Sequence, residues 1–422
     1  MNIAAVRGFR DILPEETALW QVLEAQARTS FAAYGFSEII VPIIEKTELF
    51  ARAIGETTDI VEKEMYTFID RDESSLTLRP EGTASVIRAY IEHSVHHKEP
   101  VSKLFYIGPM FRRERPQKGR YRQFHQIGAE ILGRDDALID AELLLMLNDL
   151  FKALQLEVSV DVNSLGCPVC RPRFRESLQA FGESKLAQLC GNCHNRLHRN
   201  PLRILDCKEP GCREATKDAP VLRDFLCEPC RTHFTKVETC LRQENVTITV
   251  NPRLVRGLDY YCRTSFEIIA HGLGSQNAVC GGGRYDGLVE QLGGPAIPGI
   301  GFAIGVERLI MLLQAQERNL QTGPDVFVAP LGEAAEGQAF ALARRLRQEG
   351  YRIELEGGGR GLKAQMRRAD KLNARHVLIL GENEVNAGKG TVRDMQTRAD
   401  RPMAVDLALP AQALINAIRG NS

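Results

Sequence analysis

A dense run of basic side chains between residues 111 and 130 has the chemistry of a phosphate-binding site. The segment reads FRRERPQKGRYRQFHQIGAE, and Glu114 is the only acidic residue among its clustered basic residues. Guanidinium groups bind phosphate oxygens in planar, two-pronged pairs, so the cluster fits a polyphosphate or a nucleic-acid backbone. The cations are Arg112, Arg113, Arg115, Lys118, Arg120 and Arg122.

Eight of the eleven cysteines form four close pairs between residues 167 and 230, which is enough for two tetrahedral zinc sites. Such sites would be structural, because four thiolates leave no open coordination position. The spacing does not fix which pairs combine, His194 or His198 could replace a cysteine, and buried reduced thiols are the alternative. The pairs are Cys167 with Cys170, Cys190 with Cys193, Cys207 with Cys212, and Cys227 with Cys230.

Strand patterns on both sides of the basic run place it on a β-hairpin. Residues 104–107 and 124–127 alternate in hydrophobicity as strands do, and Pro116 and Gly119 supply turn chemistry between them. We therefore expect arginines at the root of the hairpin and a basic loop at its tip.

The remaining pattern predicts two kinds of sheet. Hairpins interleaved with helices up to about residue 316 favour an α+β arrangement, an antiparallel sheet with helices on one face. Strands that alternate with helices after a polar linker at 317–324 favour a small α/β domain with a largely parallel sheet. Predicted helices cover 15–34, 137–154, 306–316, 334–348 and 362–372, and predicted strands cover 36–42, 62–79 (as a pair), 326–329, 352–355 and 376–380.

Bulk composition constrains the function only weakly. A chain of 422 residues usually forms two or three domains, and 54 basic residues balance 54 acidic ones, so any nucleic-acid site must be a local patch. No stretch suits a signal peptide or a membrane span. We expect a cytoplasmic protein, whose reducing compartment disfavours disulfides.

Several segments resemble the class II aminoacyl-tRNA synthetases. FRRERPQKGRYRQFHQ is similar to their motif 2 as found in histidyl-tRNA synthetases, and GFAIGVERL (301–309) is similar to motif 3. LTLRPEGT (76–83) resembles the loop that binds the amino group. LVRGLDYY (254–261) and CGGGRYDGL (280–288) narrow the resemblance to the histidine enzymes.

The resemblance implies an organisation and a set of partners. It implies an antiparallel-sheet catalytic domain over 1–324, a Cys-rich insertion at about 165–240, and an α/β anticodon-binding domain over 325–422. A motif 1 helix and strand ending near Pro42 imply a homodimer. The implied enzyme joins L-histidine to tRNA(His), with ATP as cosubstrate and Mg²⁺ as its metal ion.

The same resemblance implies roles for the residues of an ATP site. Arg112 would hold the α-phosphate and the histidine carboxylate, and Arg308 would clamp the γ-phosphate with Arg120 close by. Phe124 would stack on adenine, while Glu114 would reach the base or a magnesium ion.

A histidine pocket and a tRNA contact are implied as well. Arg256 would act at the α-phosphate in place of a second metal ion, and Glu130 with Tyr261 would read the two imidazole nitrogens. The implied histidine set is Glu81, Thr83, Arg112, Gln126, Glu130, Arg256, Tyr260, Tyr261 and Tyr285, and the implied tRNA contacts are Gln117, Lys118 and Arg122.

Two other functions share parts of this pattern. A histidine-sensing regulatory subunit of an ATP phosphoribosyltransferase would be expected to lose the basic hairpin tip and the C-terminal domain, and both are present. A zinc-dependent nucleic-acid-binding module would explain the cysteines but not the arginines borne on strands.

Overall fold

The computed structural model describes residues 3–55, 58–117, 119–255, 258, 260–270, 277–316, 323–405 and 410–419. The chain divides into two compact units, Met1–Arg318 and Asn319–Ser422. No helix in these described ranges is long and apolar enough to cross a membrane.

The first unit contains strands and helices in alternation. Its strands are β1 (Ser37–Glu38), β2 (Ile44–Lys46), β3 (Tyr66–Ile69), β4 (Ser75–Leu78), β5 (Ser102–Phe111), β6 (Gln123–Leu132), β7 (Val158–Ser164), β8 (Ile248–Val250), β9 (Cys262–Ala270), β10 (Ala278–Arg284) and β11 (Gly299–Gly305). Its α-helices are α1 (Pro14–Ala33), α2 (Thr47–Ile54), α3 (Thr83–Glu92), α4 (Ala137–Ala153), α5 (Arg171–Ser184), α6 (Gly191–Arg199), α7 (Pro210–Ala215), α8 (Glu228–Gln243), α9 (Leu288–Gln291) and α10 (Val306–Ala315).

An eight-stranded sheet forms the frame of this unit, in the order β1-β5-β6-β11-β10-β9-β7-β8. Its neighbours are antiparallel except for the outermost pair at each edge. Apolar side chains of α1, α4, α8 and α10 share one buried core with the sheet. The predicted α+β arrangement is confirmed.

The hairpin of β5 and β6 sorts its side chains by the period-two alternation of strands. Ile127, Ala129 and Ile131 of β6 enter the core beneath the helices. Gln126 and Glu130 alternate with these three residues and therefore belong to the opposite face. The sequence pattern thus separates a packing face from a polar face.

The strand predicted over 36–42 is wrong in its extent. Ser37 and Glu38 form the ladder with β5, and Ile39 adds one hydrogen bond from its N–H to the Phe105 carbonyl. Pro42 has no N–H with which to extend a ladder. The predicted strand pair within 62–79 is present as β3 and β4, but it starts only at Tyr66 because Ile60–Glu64 forms a turn of π-helix.

The Cys-rich insertion is helical. Residues 165–247 are all described and contain no strand, only α5 to α8 and short 3₁₀ turns at Leu186–Gln188, Pro201–Ile204 and Leu222–Phe225. Their apolar side chains and cysteines form a separate small core, while Phe234 and Leu241 of α8 pack into the main core.

The second unit is an α/β domain with a mixed sheet. Its strands are β12 (Val326–Leu331), β13 (Ile353–Leu355), β14 (His376–Gly381), β15 (Lys389–Asp394) and β16 (Asp400–Ala404), and its helices are α11 (Glu333–Gln348), α12 (Leu362–Lys371), α13 (Glu382–Asn386) and α14 (Ala411–Arg419). In the order β13-β12-β14-β15-β16, the first three strands are parallel and the last two are antiparallel. The prediction of a largely parallel sheet missed the hairpin of β15 and β16, because these short, polar strands resemble loop sequence.

Candidate active site

A cavity of about 420 Å³ opens on the polar face of the large sheet. The strands β6, β9, β10 and β11 supply its floor, and the basic segment after β5 supplies one wall. The cavity brings together every residue of the expected ATP set, which is Arg112, Glu114, Arg120, Phe124 and Arg308, together with Gln126.

Two arginines of this cavity are held in place by backbone carbonyls. Arg112 Nε donates to the Pro80 carbonyl at 2.9 Å, and its guanidinium lies 5.3 Å from the centroid of the Phe124 ring. Arg308 donates to the carbonyl of Ala278. Burial lowers the pKa of Arg308, and the charge of Arg120 lowers it further. A phosphate anion would relieve both effects.

Carboxylates line the same cavity beside the arginines. Glu114 pairs with Arg120 at 3.3 Å, and Glu64 and Glu267 also face the cavity. Burial raises the pKa of Glu64, and the charge of Glu114 adds to the increase. Sequence patterns gave no sign of Glu64 or Glu267, since neither lies in a motif.

Glu130 is fully buried and is the centre of a second subsite. Thr83 donates its hydroxyl to one carboxylate oxygen of Glu130 at 2.7 Å, and Tyr285 donates its hydroxyl to the other. Burial raises the pKa of Glu130 to about 8 even though both hydrogen bonds favour the charged form. A polar or cationic ligand that hydrogen-bonds this carboxyl group would stabilise its charged form.

Glu81 anchors the start of α3 in the same region. Its carboxylate accepts hydrogen bonds from the backbone N–H groups of Thr83 at 2.7 Å and Ala84 at 2.9 Å. These donors belong to the first turn of the helix, where N–H groups have no helical partner. Burial raises the pKa of Glu81, against the opposing effects of these N–H groups and of Arg112.

Three tyrosines form an aromatic wall next to Glu130. The rings of Tyr260 and Tyr261 lie 4.6 Å apart, and Tyr285 meets Tyr260 edge-on at 5.8 Å. With Glu81, Thr83 and Glu130, they account for six of the residues expected to bind histidine.

Tyr106 is a residue of this subsite that the sequence did not single out. It is 2% exposed, and its hydroxyl has no hydrogen-bond partner among the described residues. The side-chain oxygen of Gln126 is buried and lacks a partner in the same sense. A Cβ on either Gly82 or Gly128 would come within 2.3 Å of the Tyr106 ring, so two glycines make room for it. A glycine inside a strand, as at Gly128, is the signal that could have revealed it.

The residues expected to contact tRNA are placed only in part. The Arg122 side chain donates to the Glu114 carbonyl at 3.2 Å and the Arg7 carbonyl at 3.4 Å, which ties the hairpin to the N-terminal segment. Gln117 pairs with Arg120 across the turn. Lys118 and Arg256 lie outside the described residues.

The cysteines gather into two separate clusters. Cys167 and Cys170 meet Cys227 and Cys230, and the remaining four, Cys190, Cys193, Cys207 and Cys212, meet one another. Within each cluster all sulfur atoms lie within 4.8 Å of one another. Neither cluster includes a histidine among the described residues, and His194 instead contacts the Leu186 carbonyl at 2.9 Å.

The geometry of the clusters suits a tetrahedral ion. Zinc–sulfur bonds of about 2.3 Å place tetrahedral ligands about 3.8 Å apart. The Cys167 sulfur lies 3.6 Å from that of Cys170 and 3.8 Å from that of Cys227. Backbone N–H groups donate to the Cys170 and Cys212 sulfurs at 3.1 and 3.0 Å, as outer-shell donors do for thiolate ligands.

Comparison with known proteins identifies the family of the chain. A model of the histidyl-tRNA synthetase family matches residues 8–309, and a model of an anticodon-binding domain matches residues 325–412. The chain is 56% identical over 422 residues to the histidine–tRNA ligase of Syntrophotalea carbinolica, with 100% of both chains covered. It is 54% identical to the histidine–tRNA ligase of Trichlorobacter lovleyi over 98% of this chain and 99% of the relative.

The chain belongs to the histidyl-tRNA synthetase family. The crystal structure of apo S. aureus histidyl-tRNA synthetase matches it with a TM-score of 0.80 and 35% identity, over 99% of this chain and 100% of that one. As a member of the histidyl-tRNA synthetase family, the chain is an aminoacyl-tRNA synthetase that acts in the aminoacylation of tRNA(His). The enzyme interpretation is confirmed over the regulatory-subunit and non-enzymatic alternatives.

Proposed function

We propose that the arginine-lined cavity and the Glu130 subsite are two parts of one active site, which forms histidyl-adenylate and then esterifies tRNA(His). The histidine carboxylate attacks the α-phosphorus of ATP, and pyrophosphate leaves. A terminal ribose hydroxyl of the tRNA then attacks the activated carbonyl carbon, and AMP leaves. The observation that carries the proposal is the shared face of β6, where Phe124, Gln126 and Glu130 follow one another in alternation.

ATP would lie in the cavity with its phosphates among the arginines. Arg112, already fixed by the Pro80 carbonyl, would meet the α-phosphate, while Arg308 and Arg120 would meet the tail. Fixed donors stabilise developing charge without reorganising during the reaction. Mg²⁺ prefers oxygen ligands, which phosphate oxygens together with Glu114 would supply.

Histidine would lie in the tyrosine-walled subsite. A neutral imidazole has one donor and one acceptor nitrogen. The Glu130 carboxylate would accept from the donor, and a Tyr261 hydroxyl would donate to the acceptor. Glu81, Thr83 and Gln126 would hold the ammonium and carboxylate ends, with Tyr260 and Tyr285 as walls. Unpaired polar groups would penalise other amino acids.

Arg256 completes the proposed chemistry from outside the described residues. Its place in LVRGLDYY, five residues before Tyr261 in the histidine wall, supports a role at the α-phosphate. There it would supply the positive charge that a second metal ion would otherwise provide.

The tRNA would meet both units of the chain. Gln117, Lys118 and Arg122 on the hairpin tip would contact the acceptor end, and the domain from residue 325 onward would contact the anticodon.

A homodimer is part of the proposal. Large apolar side chains are exposed near the motif 1 segment, Ile40 at 90% and Ile69 at 66%, with Ile43, Ile44 and Phe68 also exposed. We infer that these exposed apolar side chains belong to a protein interface. A second copy of the chain would cover it.

We further propose that each cysteine cluster binds one structural zinc ion. The sulfur spacing and the outer-shell N–H groups support this assignment. The alternative of packed reduced thiols gives no reason for four sulfurs to converge twice.

Histidine-dependent exchange of pyrophosphate into ATP tests the function. Exchange should require L-histidine and should be lost in an Arg112→Ala variant that still folds. An Arg398→Ala variant, which removes an exposed arginine of the second unit, serves as the control. Exchange that is independent of histidine would overturn the proposal.

A further inference from the structure

The first cysteine cluster is connected to the histidine subsite on one side by Arg171. This residue directly follows Cys170 and begins α5. Its Nε donates to the Leu165 carbonyl at 3.0 Å, and a terminal nitrogen donates to the Tyr261 carbonyl. The backbone of one wall tyrosine is therefore held by the residue next to a proposed metal ligand.

A second connection runs through α8. His233 lies one helical turn after Cys230, and its Nε2 contacts the buried Asp140 carboxylate at 2.7 Å. Asp140 also accepts from Arg284 Nε at 2.8 Å, and both side chains are fully buried. Arg284 directly precedes Tyr285, whose hydroxyl donates to the Glu130 carboxylate.

We infer that the cluster of Cys167, Cys170, Cys227 and Cys230 braces the histidine subsite, with Arg171 and His233 as positioning residues. The inference rests on the proposed histidine site and on the proposed metal. Each of the two Cys-x-x-Cys pairs of this cluster, here called knuckles, lies at the start of a helix, α5 or α8. Each helix carries one anchor residue, Arg171 or His233, whose hydrogen bonds connect it to a tyrosine of the aromatic wall. Four thiolates on one ion would fix the two helix starts relative to each other, so both anchors would act on the subsite together.

The second cluster offers an internal comparison, because the ion pairs beside it lead elsewhere. From α6 and the turn after it, Arg199 reaches Glu62 at 3.4 Å and Arg203 reaches Asp59 at 4.0 Å. These partners belong to the segment around the π-helical turn rather than to the tyrosine wall. Loss of metal at the second cluster should therefore spare the histidine subsite.

A matched pair of cysteine variants separates the two clusters. Cys170 and Cys193 are both buried, and each is the second cysteine of a knuckle. Cys170→Ser and Cys193→Ser should each lower the zinc content of the purified protein by one ion per chain. Titration calorimetry should then show about tenfold weaker histidine binding for Cys170→Ser and unchanged binding for Cys193→Ser. Equal weakening in both variants would overturn the brace, as would a wild-type protein that holds no zinc.

Variants of Arg171 test the anchor without touching a cysteine. Arg171→Ala should weaken histidine binding about tenfold, near the lower limit for losing a hydrogen bond to a charged group. The Kd for ATP should not change, and Arg171→Lys should restore part of the histidine affinity. Arg173→Ala removes an equal charge from an exposed position of the same helix and serves as the control.

The outcomes separate this inference from the function on which it rests. A wild-type protein that binds no histidine would refute the proposed function itself. A wild-type protein that binds histidine no more tightly than Arg171→Ala would refute only the brace. Equal losses in Arg171→Ala and Arg173→Ala would mean that charge, and not the anchor, is responsible, and would refute it too.

Discussion

Gly301 lies directly opposite Glu130 in the antiparallel ladder of β6 and β11. A Cβ at position 301 would come 1.7 Å from a carboxylate oxygen of Glu130 and 2.6 Å from the Ala129 carbonyl oxygen. The absence of a side chain at this position is therefore what gives the buried carboxylate its place on the sheet.

Gly301→Ala should consequently displace Glu130 and weaken histidine binding. We expect the free energy of unfolding to fall by about 1–3 kcal/mol, the usual cost of overpacking a filled interior. The histidine KM in pyrophosphate exchange should rise more than the ATP KM. Gly287→Ala is the control, because a Cβ there meets no atom within 4 Å. Equal histidine KM values for Gly301→Ala and wild type would contradict this account of the subsite.

Glu130→Gln should change both binding and the pH dependence of stability. Replacing the carboxyl group with an amide, which cannot ionise when histidine binds, should weaken histidine binding by about 1.5–3 kcal/mol, the range for a hydrogen bond to a charged group. In the ligand-free protein, burial raises the pKa of Glu130 from its ordinary value of 4.5 to about 8. The protonated form is therefore favoured by folding, and the free energy of unfolding falls as pH rises from about 4.5 to about 8.

The glutamine variant lacks this titration. Denaturant unfolding at pH 5 and pH 8 should show that Glu130→Gln gains stability relative to wild type as pH rises, whereas Glu99→Gln, at an exposed position, should not. A stability difference between Glu130→Gln and wild type that is independent of pH would show that the carboxyl group does not titrate in this range.

The sequence predicts some parts of this site and not others. The period-two pattern of β6 was enough to expect a hairpin with a polar face, and the knuckle spacing was enough to expect two clusters. Which cysteine pairs combine was not predictable, because Cys167 and Cys227 are 60 residues apart and meet only in the folded insertion. Tyr106 was missed since a tyrosine within a strand looks like core until its unpaired hydroxyl is seen in three dimensions.

Arg256→Ala should slow adenylate formation by roughly a hundredfold or more, the effect of losing one preorganised donor to developing charge. Histidine affinity should change much less, because the proposed contact is with the α-phosphate. Single-turnover kinetics with ATP and histidine would measure the step directly. Arg242→Ala, which removes an exposed arginine of α8, is the control. Near wild-type adenylation by Arg256→Ala would refute the idea that an arginine replaces a metal ion.

Zinc content provides the last prediction. Protein purified without chelator should contain close to two zinc ions per chain by elemental analysis, since two separate sets of four sulfurs converge. Thiolate-bound zinc contributes folding free energy directly, so chelation should melt the helical insertion of α5 to α7 at a lower temperature than the catalytic sheet. Hydrogen exchange would locate the loss, with protection falling in residues 167–230 and persisting in β6 and β11. If hydrogen-exchange protection of residues 167–230 is unchanged after the metal is removed, all eight cysteines are packed thiols and not metal ligands.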